Sequence, residues 1–203
     1  MVKKLGFLFI LAFAAFAMVN CNRSSGGKNP PASSDMFALS FQHDAIDRER
    51  VYACGYSNGG MMSYALGCYL NNEIAAVASI SGCLGDTSAT CAPQHPTATL
   101  NIHGTNDDVI AYNGSSEIIS APDAVAFWAV KNNTQAIPTS TTSATTSYDV
   151  EHIRYEQGDS NVTAEHIKVL GGGHVWYRFE ENGASMNTLI WEFFDRFDIY
   201  GAR

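Results

Sequence analysis

The stretch Val51-Tyr52-Ala53-Cys54-Gly55-Tyr56-Ser57-Asn58-Gly59-Gly60-Met61-Met62-Ser63-Tyr64 decides how this chain folds. Val51 to Cys54 reads as a short buried strand, and from Met61 the pattern turns helical, with Leu66 one turn further on. Between them lies G-x-S-x-G, the sequence of a sharp strand-to-helix turn that presents a nucleophilic serine. Such a turn holds Ser57 in a strained backbone conformation and lifts its hydroxyl clear of the sheet. Gly55 and Gly59 stand where a side chain would collide with the neighbouring strand or helix. The N–H of Asn58 falls at the helix N-terminus, where it can point at a developing oxyanion.

Upstream, Met1 to Asn20 reads as a signal peptide. Lys3 and Lys4 form a basic n-region, and Leu5 to Val19 is apolar but short for a membrane span. Ala15-Phe16-Ala17 offers an A-x-A cleavage site, and Cys21 a second one as the lipid acceptor of a lipoprotein. That lipid is the membrane attachment the sequence suggests, and export places the protein in a secreted or periplasmic setting. Residues 21–33 are rich in Gly, Ser and Pro and read as a flexible linker. Residues 34–203 are the size of one domain. Losing Lys3 and Lys4 takes 12 basic residues to 10 against 20 acidic ones, a net charge near −10. Such a charge argues against nucleic acid as a partner.

Export also means an oxidising compartment in which cysteines pair. Cys83 and Cys91, separated by a short small-residue loop, are the better disulfide candidates. Cys54 in the strand and Cys68 on the helix read as buried packing residues first and a disulfide second. No C-x-x-C or His/Cys cluster suggests a metal, and no cofactor motif is present.

Periodicity places a helix from Ser34 or Asp35 to about His43, a strand at Arg50–Gly55 and a helix at Asn58–Tyr69. Strands follow at Ala75–Ile80 and Thr97–His103, then a helix at Pro122–Lys131. Val150–Glu156 and Ala164–Leu170 read as strands around Gly158-Asp159-Ser160-Asn161, and Met186–Ile199 as a closing helix. Alternating strands and helices predict an α/β fold with a mostly parallel sheet covered on both faces.

Catalytic groups in such sheets gather at the carboxyl ends of strands. Asp107 and Asp108 lie on the loop after the Thr97–His103 strand, and either could orient an imidazole. Of the histidines that follow, His152 and His166 alternate with apolar neighbours and read as solvent-facing strand residues. His174 instead follows Gly171-Gly172-Gly173 beyond a strand end, with Trp176 and Tyr177 behind it. The order serine, aspartate, histidine is that of the α/β-hydrolases.

At this point the chain resembles, from about Ile46 to Phe197, the esterase family of poly(3-hydroxybutyrate) depolymerases and feruloyl or acetylxylan esterases. The residues that carry the likeness are Asp47-Arg48-Glu49-Arg50-Val51-Tyr52, Gly55-Tyr56-Ser57-Asn58-Gly59-Gly60-Met61-Met62, Ile102-His103-Gly104-Thr105-Asn106-Asp107 with Tyr112, and Gly171-Gly172-Gly173-His174-Val175-Trp176. The resemblance implies Asp107 as the triad acid, and a substrate cleft lined by Trp176 and Tyr112. It implies a carboxylic ester as substrate, on plant cell-wall polysaccharide first and a polyhydroxyalkanoate second. Two departures stand out. Tyr177-Arg178 replaces the family's Pro-Gly. Only 23 residues separate Ser33 from Ser57, so the family's N-terminal strands and their oxyanion-supplying His-Gly turn have no counterpart. The expectation is an elbow strand with an open edge, and a non-catalytic remnant is the rival to an active esterase.

Overall fold

The computed structural model describes residues 9–11, 47–85 and 90–203. Strands β1 (Phe9–Leu11), β2 (Tyr52–Tyr56), β3 (Ala76–Ile80), β4 (Ala98–Gly104), β5 (Thr139–Ala144), β6 (Asp149–Tyr155) and β7 (Ala164–Val169) form one sheet in the order β1-β2-β3-β4-β7-β6-β5. The first five in that order are parallel; β6 and β5 close the far edge antiparallel. The register places Tyr52 beside Ala76, Ala76 beside Ala98, and Thr99 beside Ala164. This is the mostly parallel α/β-hydrolase sheet expected from the sequence.

Every residue of β3 and β4 is buried, which a strand covered on both faces requires. Helices α1 (Asn58–Tyr69) and α2 (Ala121–Lys131) cover one face, where Val51, Ala53, Val77 and Ala164 meet Tyr64, Cys68 and the fully buried Trp128. Helix α3 (Met186–Phe194) covers the other, where Tyr52, Ala78, Leu100 and Ile167 meet Ile190, Phe193 and Phe194. The Ser120 hydroxyl caps α2 by accepting from the Asp123 N–H, and Pro122 sits in the first turn, where its missing N–H costs nothing.

Several expectations are corrected. The buried face of α1 is made of Gly59, Gly60, Ser63, Tyr64, Gly67 and Cys68, while Met62 is exposed. Small residues let the helix lie close on the sheet, and Met62 falls on its outer side. The closing helix stops at Phe194 and does not reach Ile199. Beyond it the chain bonds elsewhere: the Tyr52 hydroxyl donates to the Phe197 carbonyl at 2.7 Å, and Ile199 N–H to Glu49 at 2.9 Å. Phe197–Asp198 then pairs with Gly201–Ala202. Strand β5, Thr-Ser-Thr-Thr-Ser-Ala, carries no apolar alternation and was not expected from periodicity.

The disulfide also differs. Cys91 bonds Cys68, not Cys83, and Cys54 and Cys83 are buried free thiols. The last turn of α1 carries Cys68 out to the segment before β4, where the Tyr69 hydroxyl meets that of Thr90 at 2.7 Å. The elbow strand is not an open edge, because Phe9–Leu11 pairs in parallel with Tyr52–Cys54. Those three residues fall within the apolar run read as a leader. The remaining N-terminal expectations, namely the rest of the leader, Cys21, the linker and the Ser34–His43 helix, lie outside the described residues.

Candidate active site

Loops at the carboxyl ends of β2, β4 and β7 bring the candidate residues together. Ser57 follows β2 directly and caps α1 with φ 54° and ψ −119°. A positive φ is strained for any residue with a side chain. Here bonds on both sides hold it. The Ser57 N–H donates to Ile80 at 2.9 Å, and the Ser57 carbonyl accepts from Gly60 at 2.9 Å and Met61 at 3.1 Å. A Cβ at Gly55 would run into the backbone of Gly59, so the turn closes only with glycine there.

Asp107 sits on the turn after β4, and its Oδ1 accepts from the N–H groups of Val109 (3.0 Å) and Ile110 (2.8 Å). Its Oδ2 lies 2.8 Å from His174 Nδ1, and His174 Nε2 lies 2.9 Å from Ser57 Oγ. An ionised carboxylate only accepts, so Nδ1 carries the proton and Nε2 offers its lone pair to the serine hydroxyl. Burial pushes the Asp107 carboxyl pKa up. The bonds from His174, Ile110 and Val109 outweigh burial and hold it below the usual carboxylate value. Asp108 is exposed, and the imidazole is held by Asp107.

The acid and histidine loops are joined through the main chain. Thr105 N–H donates to Val169 (3.0 Å), Asn106 N–H to Gly172 (2.9 Å), and Gly171 N–H to the Thr105 hydroxyl (2.9 Å). A Cβ at Gly104 would strike the Gly172 carbonyl, so the close approach requires glycine. Two tyrosines that sequence reasoning missed complete the support. Tyr56, beside Ser57, donates its hydroxyl to the His174 carbonyl at 2.9 Å, and Tyr177 donates to Gly173 at 2.7 Å. Their positions next to Ser57 and His174 were the available signal, but periodicity says nothing of where a phenol points.

Asn58 is the first residue of α1, exposed beside Ser57. Trp176 is half-buried, donates its indole N–H to Asn187 at 3.1 Å, and lines a cavity of about 520 Å³ with Arg178 and Met186. Tyr112 is buried, and its hydroxyl meets His166 Nε2 at 3.0 Å. His166 is not solvent-facing. It is 1 % exposed, and burial pushes its pKa down to about 3. Strand β7 is interior and covered on both faces, so alternation does not sort its residues into in and out. His152 is half-buried and its Nε2 meets Glu181 Oε2 at 2.8 Å. Among the described residues no cluster of His, Cys, Asp and Glu could hold a metal ion.

The sequence profile of the phospholipase/carboxylesterase family matches residues 35–145. Feruloyl esterase B of Piromyces equi is 37% identical over 91 residues, covering 43% of this chain and 17% of that protein. A probable feruloyl esterase C of Aspergillus terreus is 35% identical over 107 residues, covering 52% and 39%. A bifunctional acetylxylan esterase/xylanase of Neocallimastix patriciarum is 42% identical over 67 residues, covering 33% and 10%. The matched region thus spans well under half the length of each of these relatives. With the family profile matched over more than half its residues on a mostly parallel, doubly covered sheet, the chain belongs to the phospholipase/carboxylesterase family of α/β-hydrolases.

Proposed function

We propose that this protein is an exported serine esterase acting on feruloyl or acetyl esters of plant cell-wall polysaccharide. The observation that carries the reading is the continuous hydrogen-bonded chain from Ser57 Oγ through His174 to Asp107. In the first step Ser57 Oγ attacks the ester carbonyl carbon while its proton passes to His174 Nε2. Asp107 holds the imidazole and stabilises the imidazolium, and the Asn58 N–H donates to the oxyanion. The alcohol leaves with the proton from His174. Water, activated by the same nitrogen, then releases the acid and restores Ser57. Trp176 would line the substrate cleft. Feruloyl and acetylxylan esterases among the relatives support the ester class and the polysaccharide. A non-catalytic remnant would have no need to keep three side chains from three loops in bonding contact. Export rests on the Met1–Asn20 leader read from the sequence, whose removal would take β1 away from Tyr52–Cys54. Among the described residues no helix is long and apolar enough to cross a membrane.

The test is a fluorophosphonate probe together with three substrates. Ser57→Ala abolishes labelling, and the chain releases ferulate from feruloylated arabinoxylan or acetate from acetylated xylan. Labelling that survives Ser57→Ala overturns the nucleophile. Turnover of polyhydroxybutyrate alone moves the protein to the polyester substrate.

A further inference from the structure

We propose that His103 is a positioning residue for this reaction, fixing the Asp107 carboxylate and the turn that carries it so that Oδ2 meets His174 Nδ1. The inference rests on the Ser57–His174–Asp107 reading of the site.

His103 is the penultimate residue of β4 and is 1 % exposed. Its Nε2 lies 2.8 Å from the carbonyl of Ile110. A carbonyl only accepts, so the proton is on Nε2 and the ring is a donor there. The same nitrogen stands 3.2 Å from Asp107 Oδ2. Ile110 in turn donates its N–H to Asp107 Oδ1 at 2.8 Å. One imidazole therefore approaches one carboxylate oxygen directly and grips the carbonyl of the residue whose amide holds the other.

Where each partner is anchored gives this a consequence. His174, the hydrogen-bonding partner of Oδ2, rides on the Gly171–Gly173 loop. His103 sits on a central strand bonded on both sides, β4 between β3 and β7. It ties the acid to the sheet, so Oδ2 keeps its place while the histidine moves through its protonation cycle. The charge state of the ring suits the task. Burial pushes its pKa below the ordinary histidine value, against the upward pull of the Ile110 carbonyl and the Asp107 charge, and the neighbouring His174 lowers it further. An imidazolium beside Asp107 would cancel the negative charge that His174 needs when it takes the serine proton. A neutral ring orients the carboxylate without cancelling it. The Tyr112 ring, edge-on at 5.8 Å, fixes the plane of the imidazole.

The experiment compares His103→Leu, His103→Gln and Asp107→Asn in the full chain on a p-nitrophenyl ester. His103→Leu keeps the bulk and removes the donor. It lowers kcat by about 2- to 10-fold, the range for a hydrogen bond between neutral groups, with KM unchanged. His103→Gln places an amide N–H near the position of Nε2 and recovers most of that loss. The low-field proton resonance of His174 Nδ1–H broadens away in the leucine variant and persists in the glutamine one. A folded leucine variant with unchanged kcat overturns the proposal, as do leucine and glutamine variants that lose kcat equally while the resonance stays sharp. Should the leucine variant not fold, His103→Asn replaces it: a polar side chain too short to reach. Equal turnover by the asparagine and glutamine variants then overturns the proposal. Asp107→Asn separates the two readings. Full hydrolysis by that variant overturns the triad, whereas loss there with active His103 variants overturns only the role of His103.

Discussion

Acidifying the protein from pH 7.5 to pH 5 should destabilise it through His166, a residue outside the Ser57–His174–Asp107 group. His166 donates its Nδ1–H to the Asn101 carbonyl at 3.3 Å and accepts from the Tyr112 hydroxyl at Nε2, 3.0 Å away. Burial pushes its pKa down to about 3 from 6.5; the Asn101 carbonyl opposes this, and His103 and Lys168 nearby reinforce it. The folded state therefore leaves this ring neutral at pH values where the unfolded chain protonates it. Between pH 6.5 and pH 3 the unfolded state binds the extra proton, so stability falls as pH falls through that window. For these two pKa values the loss at pH 5 is about 2 kcal/mol. In a domain of this size that lowers Tm by about 4–8 °C. His103, shifted in the same direction by burial, adds to the decline. The assay is thermal melting followed by circular dichroism at pH 7.5, 6 and 5, on the native chain and on His166→Gln. The variant starts less stable at pH 7.5, and its Tm drops less between pH 7.5 and 5. Parallel declines in the two proteins, or a His166 ring proton that titrates near 6.5 in the folded protein, would refute the reasoning.

Three further outcomes follow from the geometry. Tyr56→Phe removes the bond to the His174 carbonyl, which is worth about 1 kcal/mol, so kcat/KM falls about fivefold with the melting curve little changed; an unaltered kcat/KM would show that the histidine loop needs no such pin. Peptide mapping without reduction finds Cys68 joined to Cys91 and free thiols at Cys54 and Cys83, and Cys68→Ala costs about 3 kcal/mol in denaturant unfolding, as loss of a crosslink closing 23 residues should; a Cys83–Cys91 peptide refutes the pairing. Removing residues 1–20 takes β1 away from Tyr52–Cys54 and bares that edge, so light scattering finds the shortened chain dimeric or larger; a monomer at the same concentration counts against it.

The parts legible in the sequence were those where one local pattern has one structural solution. The elbow is the clearest, because Gly55 and the strained Ser57 leave no other turn for strand and helix to share. Ser57, Asp107 and His174, named from chain order and from the glycines before His174, are side chains that the structure brings into hydrogen-bonding contact. What alternation suggested for His166 failed because β7 is buried on both faces, so polarity along the strand no longer reports on side. Strand β5 escaped notice because its hydroxyl residues form a strand through pairing with β6 and not through a buried face. The disulfide was misread because proximity along the chain favoured Cys83, whereas the length of α1 carries Cys68 across to Cys91. His103, Tyr56 and Tyr177 show the general limit: sequence names the residue, but only the packing aims its polar end.

Besides the Asp107–His174 contact itself and the Thr105 hydroxyl, the acid and histidine loops meet through main-chain groups that bring Gly104 against Gly172. Main-chain atoms are the same whatever the side chains are. The spacing between acid and base is thereby insulated from most sequence drift in these loops. The cavity beside Trp176, walled by Arg178, Glu180 and Asn187, has no such protection and is free to vary. The lining of that cavity can therefore be rewritten without resetting the distance between Asp107 and His174.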